Sequence, residues 1–229
     1  NDLVLGTFGR GFYILDDYSL LRNTIPSDLD KAAILFPVKQ AWMYIQSRPL
    51  GLKGKGFLGE QYYTAENPPF GATVRYYLKD TYKSKKQTRQ NAEKEMVKKG
   101  ETARYPTWDE LKDEDTEEEP TVFLVVTDET GNVVRRINGT NSKGINRVTW
   151  DLRYAPTSPT TLAPPSDDPF DEGEQGRLAL PGSYKVSVWK RVNGVATKLT
   201  DEQTFATAVL GTASLPTADR KALAEFQAK

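Results

Sequence analysis

The sequence predicts an all-β protein, an immunoglobulin- or fibronectin-type antiparallel β-sandwich carrying an N-terminal hairpin and a charged, partly helical insertion. Three observations predict it. Seven to nine short apolar runs recur at the spacing of sandwich strands. Clusters of Gly, Pro, Asn and Asp separate them, with no alternation of strand and helix that would suggest a parallel sheet. One run, Tyr184–Lys190, places Tyr, Val and Val on one face and Lys, Ser and Trp on the other, the period of a half-buried strand.

Leu3–Leu5 and Phe12–Leu15 flank a turn marked by Gly6, Gly9 and Gly11, which reads as a hairpin. Two strands alone are marginal in water, so this hairpin must pack on something. Ile34–Phe36 and Ala41–Ile45 are two short strands, because Pro37 between them breaks any ladder. Asn67-Pro68-Pro69 turns the chain into a strand over residues 72–78.

Residues 83–119 have a different character. From Lys83 to Arg104 there are eight basic and three acidic residues, and from Asp109 to Glu119 eight acidic residues and one Lys. This composition suits a helix or a solvated insertion, with opposite charges attracting across a bend. A short helical turn is expected at Trp108-Asp109-Glu110-Leu111, just after Pro106.

Strand signals resume at Pro120. Val122–Thr127 and Val133–Ile137 bracket a hairpin loop, and Ile145–Leu152 follows. Residues 155–181 read as a long loop. Asn193-Gly194 is the strongest two-residue hairpin turn in the chain. Val195–Leu199 and Gln203–Val209 complete the strands, and Thr217–Lys229 reads as a short helix with Ala, Leu and Phe on one side. The expected division is a hairpin unit over 1–30, a sandwich over 31–210 containing the insertion 83–119, and a tail over 211–229.

Composition removes several kinds of chemistry. The 229 residues contain no Cys and no His, which excludes thiolate nucleophiles, Ser-His-Asp and Cys-His machinery, and imidazole-ligated metals. The 31 basic and 31 acidic residues cancel, so no global field favours nucleic acid. No apolar run is long enough for a helical membrane span. The chain opens on a strand-like segment without Met, as a fragment of a longer precursor would.

The remaining candidates are carboxylates and aromatics. Asp167, Asp168 and Asp171, with Glu172 and Glu174, lie in a loop that could offer oxygen ligands to calcium, although they do not follow the Asp-x-Asp-x-Asp-Gly pattern. Asp16 and Asp17 are adjacent, which suits a turn better than an acid/base pair. Among the four Trp residues, Trp150 shares a face with Val148 and Leu152 and is expected in the core. Trp189 and Trp108 are the candidates for ligand contact at the surface, with packing against the insertion as their other reading.

Residues 2–17, Asp-Leu-Val-Leu-Gly-Thr-Phe-Gly-Arg-Gly-Phe-Tyr-Ile-Leu-Asp-Asp, resemble the last blade motif of bacterial sortilin-like, BNR-repeat β-propeller proteins. Phe8 stands where that motif usually has His. Asn67-Pro-Pro-Phe-Gly-Ala72, Tyr105-Pro-Thr107, Asp128–Arg135, Asn146–Arg153 and Leu180-Pro-Gly-Ser-Tyr184 are similar to successive motifs in the tails of the same proteins. The Asp-box of true BNR repeats, Ser-x-Asp-x-Gly-x-Thr-Trp, is absent here.

The resemblance implies that residues 1–30 are a remnant of a final propeller blade. It implies a secreted, periplasmic or cell-surface location, and an upstream β-propeller of the same polypeptide as partner. The expected role is a non-catalytic accessory module for interdomain packing or for recognition of a protein or glycan. Two alternatives stay open: part of a glycoside hydrolase whose catalytic site lies in the propeller, and a stand-alone carbohydrate-binding module.

Overall fold

The computed structural model describes residues 2–15, 17–22, 24–44, 68–159, 162, 173–211 and 219–227. In chain order the elements are β1 (Leu3–Thr7), β2 (Gly11–Leu15), α1 (Ser19–Arg22), a 3-10 turn (Pro26–Asp30), β3 (Ala33–Leu35), β4 (Ala41–Met43), β5 (Ala72–Leu78), α2 (Lys85–Lys98), α3 (Trp108–Asp115), β6 (Thr121–Thr127), β7 (Val133–Gly139), β8 (Gly144–Trp150), β9 (Gly182–Val192), β10 (Val195–Lys198), β11 (Gln203–Val209) and α4 (Arg220–Gln227). The fold is mostly β, as the sequence predicts.

Two sheets enclose one core. The smaller has the order β3-β5-β8, and the larger β4-β11-β9-β6-β7, with β10 also paired to β9. All pairs are antiparallel except β4 with β11. That parallel pair departs from the purely antiparallel expectation, and it accompanies a change of sheet after Pro37. The chain leaves the small sheet after β3 and joins the edge of the large one as β4, beside the last strand rather than beside its sequence neighbour.

The side-chain alternation is clearest in β5. Ala72, Val74, Tyr76 and Leu78 point inward and are buried, while Thr73, Arg75 and Tyr77 point outward. Facing them from the large sheet are Leu124 and Val126 of β6, Tyr184, Val186 and Val188 of β9, and Phe205 of β11. Trp150 at the end of β8 joins the layers, meeting Tyr184 and Phe205 edge to face at centroid distances of 5.1 and 6.1 Å. Its indole N–H, which would be costly to bury unpaired, donates to the Arg153 carbonyl at 2.9 Å. Each fully buried Val or Leu here contributes about 1.5–3 kcal/mol.

Turn chemistry sets the register. Asn193 and Gly194 both have positive φ, as a type I′ turn requires, and join β9 to β10. Between β6 and β7, the Asp128 carboxylate accepts hydrogen bonds from the Thr130 and Asn132 backbone N–H groups and from the Thr130 hydroxyl. Gly71, at φ 124°, passes so close to β8 that a Cβ there would lie 1.8 Å from the Trp150 carbonyl oxygen.

Residues 83–119 fold into a helical pair between β5 and β6, more ordered than a solvated loop. Ser84 with Gln87, and Thr107 with Glu110, form capping boxes that start α2 and α3. Neither helix buries a residue, so ion pairs hold them together. Arg89 makes a bidentate contact to Glu114 at 2.6 and 2.8 Å and also binds Glu93, while Lys85 reaches Asp113 at 3.4 Å. The basic and acidic blocks do attract across a bend.

The terminal helix α4 forms where a helix is expected, but its apolar side is not buried as a whole. Ala224 is buried, and its carbonyl accepts from the Arg177 guanidinium at 3.3 Å, whereas Leu223 and Phe226 stay exposed.

Candidate functional site

The outer face of the large sheet carries an open cleft with aromatic and basic lining. Cross-strand register puts Phe123 of β6 opposite Trp189 of β9 on one side and opposite Asn138 of β7 on the other. Val125 likewise faces Ser187 and Arg136, and Thr121 faces Arg191. Residues directly opposite on neighbouring strands share a face, so one row per strand assembles here.

The two rings are close to parallel. Their planes differ by 22° and their centroids lie 6.3 Å apart. The Trp189 N–H donates to the Ser187 hydroxyl at 3.0 Å, which draws the indole back along β9 over Ser187. Ser187 is buried although it points away from the core, as is Val125 beside it. Both rings form the floor of an open cleft of about 510 Å³, lined also by Arg136, Asn138 and Arg191. Arg191 is paired with Glu118 at 3.3 Å. Arg136 is exposed and has no ionic partner among the described residues.

Trp189, singled out from sequence, thus sits in the cleft, half-buried, where it meets Phe123 and Ser187. Trp108, the other candidate, opens α3 and is 80% exposed, so it packs against nothing substantial and lines no part of this cleft. Phe123 was hidden from sequence reasoning within the continuous run Val122–Val126, where alternation gives no sign of which residues face out. Asp167, Asp168 and Asp171 lie outside the described residues, as does Asp16. Among the described residues no group of three or more carboxylates is placed to hold a metal ion.

A second cluster ties the N-terminal hairpin to the opposite face of the sandwich. Asp17, with φ 53°, follows β2 and buries its carboxylate against β5. It binds Arg75, Lys39 at 2.7 Å and the Ser19 hydroxyl at 2.5 Å, while its backbone N–H donates to the Asp2 carboxylate at 2.9 Å. Burial raises the pKa of this carboxyl, but the hydrogen bonds from Lys39, Ser19 and Arg75 outweigh burial and hold it well below the ordinary carboxylate range. The cluster is an anchor for the charged form. Beyond it, β1 and β2 pair in register from Leu3 with Leu15 to Thr7 with Gly11, and every residue of both strands is exposed, Val4, Leu5, Phe12, Tyr13 and Ile14 among them.

No family model, curated protein or solved structure matches this chain.

Proposed function

We propose that this chain is a non-catalytic accessory module, an immunoglobulin- or fibronectin-type sandwich that serves a secreted protein built around a β-propeller. In this reading its N-terminal hairpin completes a sheet of the neighbouring propeller, and the sandwich is held against that sheet. The observation that carries the reading is the hairpin itself. It is apolar, exposed on both faces, and yet tethered at its base by a buried charge cluster. A two-stranded ribbon with this much exposed apolar surface gains stability from further strands or from packing on another apolar surface, and added strands fit a propeller sheet.

Two further features support the sandwich type. The small sheet β3-β5-β8 faces the large sheet β11-β9-β6-β7 in the strand order of that class. The Tyr184 hydroxyl near the start of β9 donates to the Leu180 carbonyl at 2.7 Å, the upstream hook characteristic of such domains. The non-catalytic reading draws on the ionisable groups. Among the described residues, each carboxyl whose ionisation is displaced is displaced downward, toward the charged form, by partners that serve an ion pair, a turn or a helix cap. A glycosidic general acid needs the opposite displacement.

Hydrogen exchange tests the docking role. Amides of residues 3–15 are expected to exchange rapidly in this chain alone and to become protected in a polypeptide that also carries the propeller. Equal protection in both states would show that the hairpin needs no partner strands and would sink the reading.

A further inference from the structure

We infer that the outer cleft of the large sheet binds an acidic polysaccharide, with a sugar ring lying on Trp189 and Phe123 and its carboxylate held by Arg136. The site lies on the face of the sandwich opposite the Asp17 anchor, and the inference does not depend on the hairpin's role. Inward and outward residues of β5 and β9 place Arg75 and Trp189 on the two opposite outer surfaces.

Three features select this ligand. The rings, 22° from parallel and 6.3 Å apart, present an apolar floor in an open cleft rather than an enclosed hole. Such a floor matches the C–H face of a pyranose, whose slightly positive hydrogens meet the negative face of the ring. The bond from the indole to Ser187 fixes the larger ring before any ligand arrives, which lowers the ordering cost of binding. Around the floor stand groups suited to a sugar rim: the Asn138 amide and Thr121 hydroxyl for ring hydroxyls, and guanidinium groups for a carboxylate.

Charge then separates acidic from neutral glycans. Of the two arginines lining the cleft, Arg191 is engaged by Glu118, and Lys198, which pairs across from Trp189, is engaged by Glu202. Among the described residues Arg136 has no ionic partner, and it stands as a positive charge beside Phe123 and Val125. A carboxylate there gains a charge-assisted, bidentate contact that a neutral sugar cannot make. A peptide strand fits the cleft less well. β6 is hydrogen-bonded on both sides, to β7 and to β9, so at the centre of the floor a peptide backbone finds no free backbone partners.

The test is affinity electrophoresis of the full chain in gels containing polygalacturonate, alginate or neutral hydroxyethyl cellulose. Retardation is expected with at least one polyuronate and not with the neutral polymer. Trp189→Ala should weaken polyuronate binding about tenfold or more, the scale of one lost aromatic contact. Trp189→Phe, which keeps a ring on the sheet, should recover part of the loss. Arg136→Gln, at an exposed position where folding is not at stake, should weaken polyuronate binding to a similar extent. Trp108→Ala should change nothing. No retardation by either polyuronate overturns the inference. So does equal retardation by the neutral polymer, and so does polyuronate binding that survives Trp189→Ala and vanishes with salt, since that marks diffuse charge attraction. Binding of an extended peptide that survives Trp189→Ala and Arg136→Gln, without polyuronate binding, overturns it in favour of an edge-strand site.

Discussion

Replacing Asp17 by Asn tests whether the charge cluster at the base of the hairpin stabilises the fold. Asn adopts the left-handed conformation at φ 53° as readily as Asp, so the substitution removes the charge without straining the backbone. Arg75, largely buried on the outer side of β5, then loses its anion. A hydrogen bond to a charged group contributes about 1.5–3 kcal/mol. The Lys39 pair, half in solvent, adds no more than about 1 kcal/mol. Asn regains part of this because it is cheaper to bury and still accepts one hydrogen bond. The net expectation is a loss of about 2 kcal/mol at pH 7.

The pH dependence supplies the sharper check. Asp17 has a folded pKa below its unfolded value of about 3.9. Its contribution is therefore complete above pH 4–5 and is lost as pH falls toward the folded pKa, by about 1.4 kcal/mol per pH unit. Other carboxyls with lowered pKa, such as Asp128 and Glu202, act with the same sign in both proteins and cancel in the difference. Urea unfolding of the wild type and of Asp17→Asn at pH 7, 4 and 2.5 measures that difference. It should be about 2 kcal/mol at pH 7 and largely gone at pH 2.5. A deficit under about 0.5 kcal/mol at neutral pH, or one undiminished in acid, would refute the role of the charge.

Three other substitutions follow from the packing. Gly71→Ala should prevent stable folding, costing several kcal/mol, because its Cβ would meet the Trp150 carbonyl at 1.8 Å in a backbone conformation unfavourable to Ala; soluble yield and thermal melting would show it. Tyr184→Phe should cost about 1 kcal/mol in urea unfolding, no more, since the Thr207 hydroxyl also donates to the Leu180 carbonyl the tyrosine hook satisfies. Glu114→Gln should reduce the helical circular-dichroism signal of α2 and α3 and leave less of it for added salt to remove. The urea midpoint of the sandwich should stay where it was, because neither helix buries a side chain in it.

The strands were legible wherever one face is wet. Residues 72–78 read as a strand and alternate cleanly in the structure, the inward face of Tyr184–Lys190 holds as its alternation predicts although the outward Ser187 is buried as well, and Asn193-Gly194 turns the chain as its residue types require. The opposite charge blocks of residues 83–119 announced their attraction, but not that Arg89 would choose Glu114, since that choice depends on where two capping boxes start two helices. Pro37 signalled a break. Whether the chain would stay in its sheet or cross to the other is decided by packing, which no local signal near Pro37 records.

The two surface clusters were less legible for a common reason: each is assembled by register between distant segments. Asp17 looks like half of an Asp pair in a turn until β5 brings Arg75 to it, and Phe123 looks like core until β9 brings Trp189 beside it. Their placement also argues for separate roles. The anchor occupies the outer face of the small sheet and is satisfied internally, charge against charge, so it fixes the hairpin and has little left to offer a ligand. The cleft occupies the outer face of the large sheet and leaves a ring floor open, with Arg136 lacking an ionic partner among the described residues. A sandwich core separates the two, so a substitution at Trp189 should leave the hairpin anchor intact, and one at Asp17 should leave the cleft intact. In the proposed role, a module with this division would hold to its neighbour on one side and present a binding face on the other.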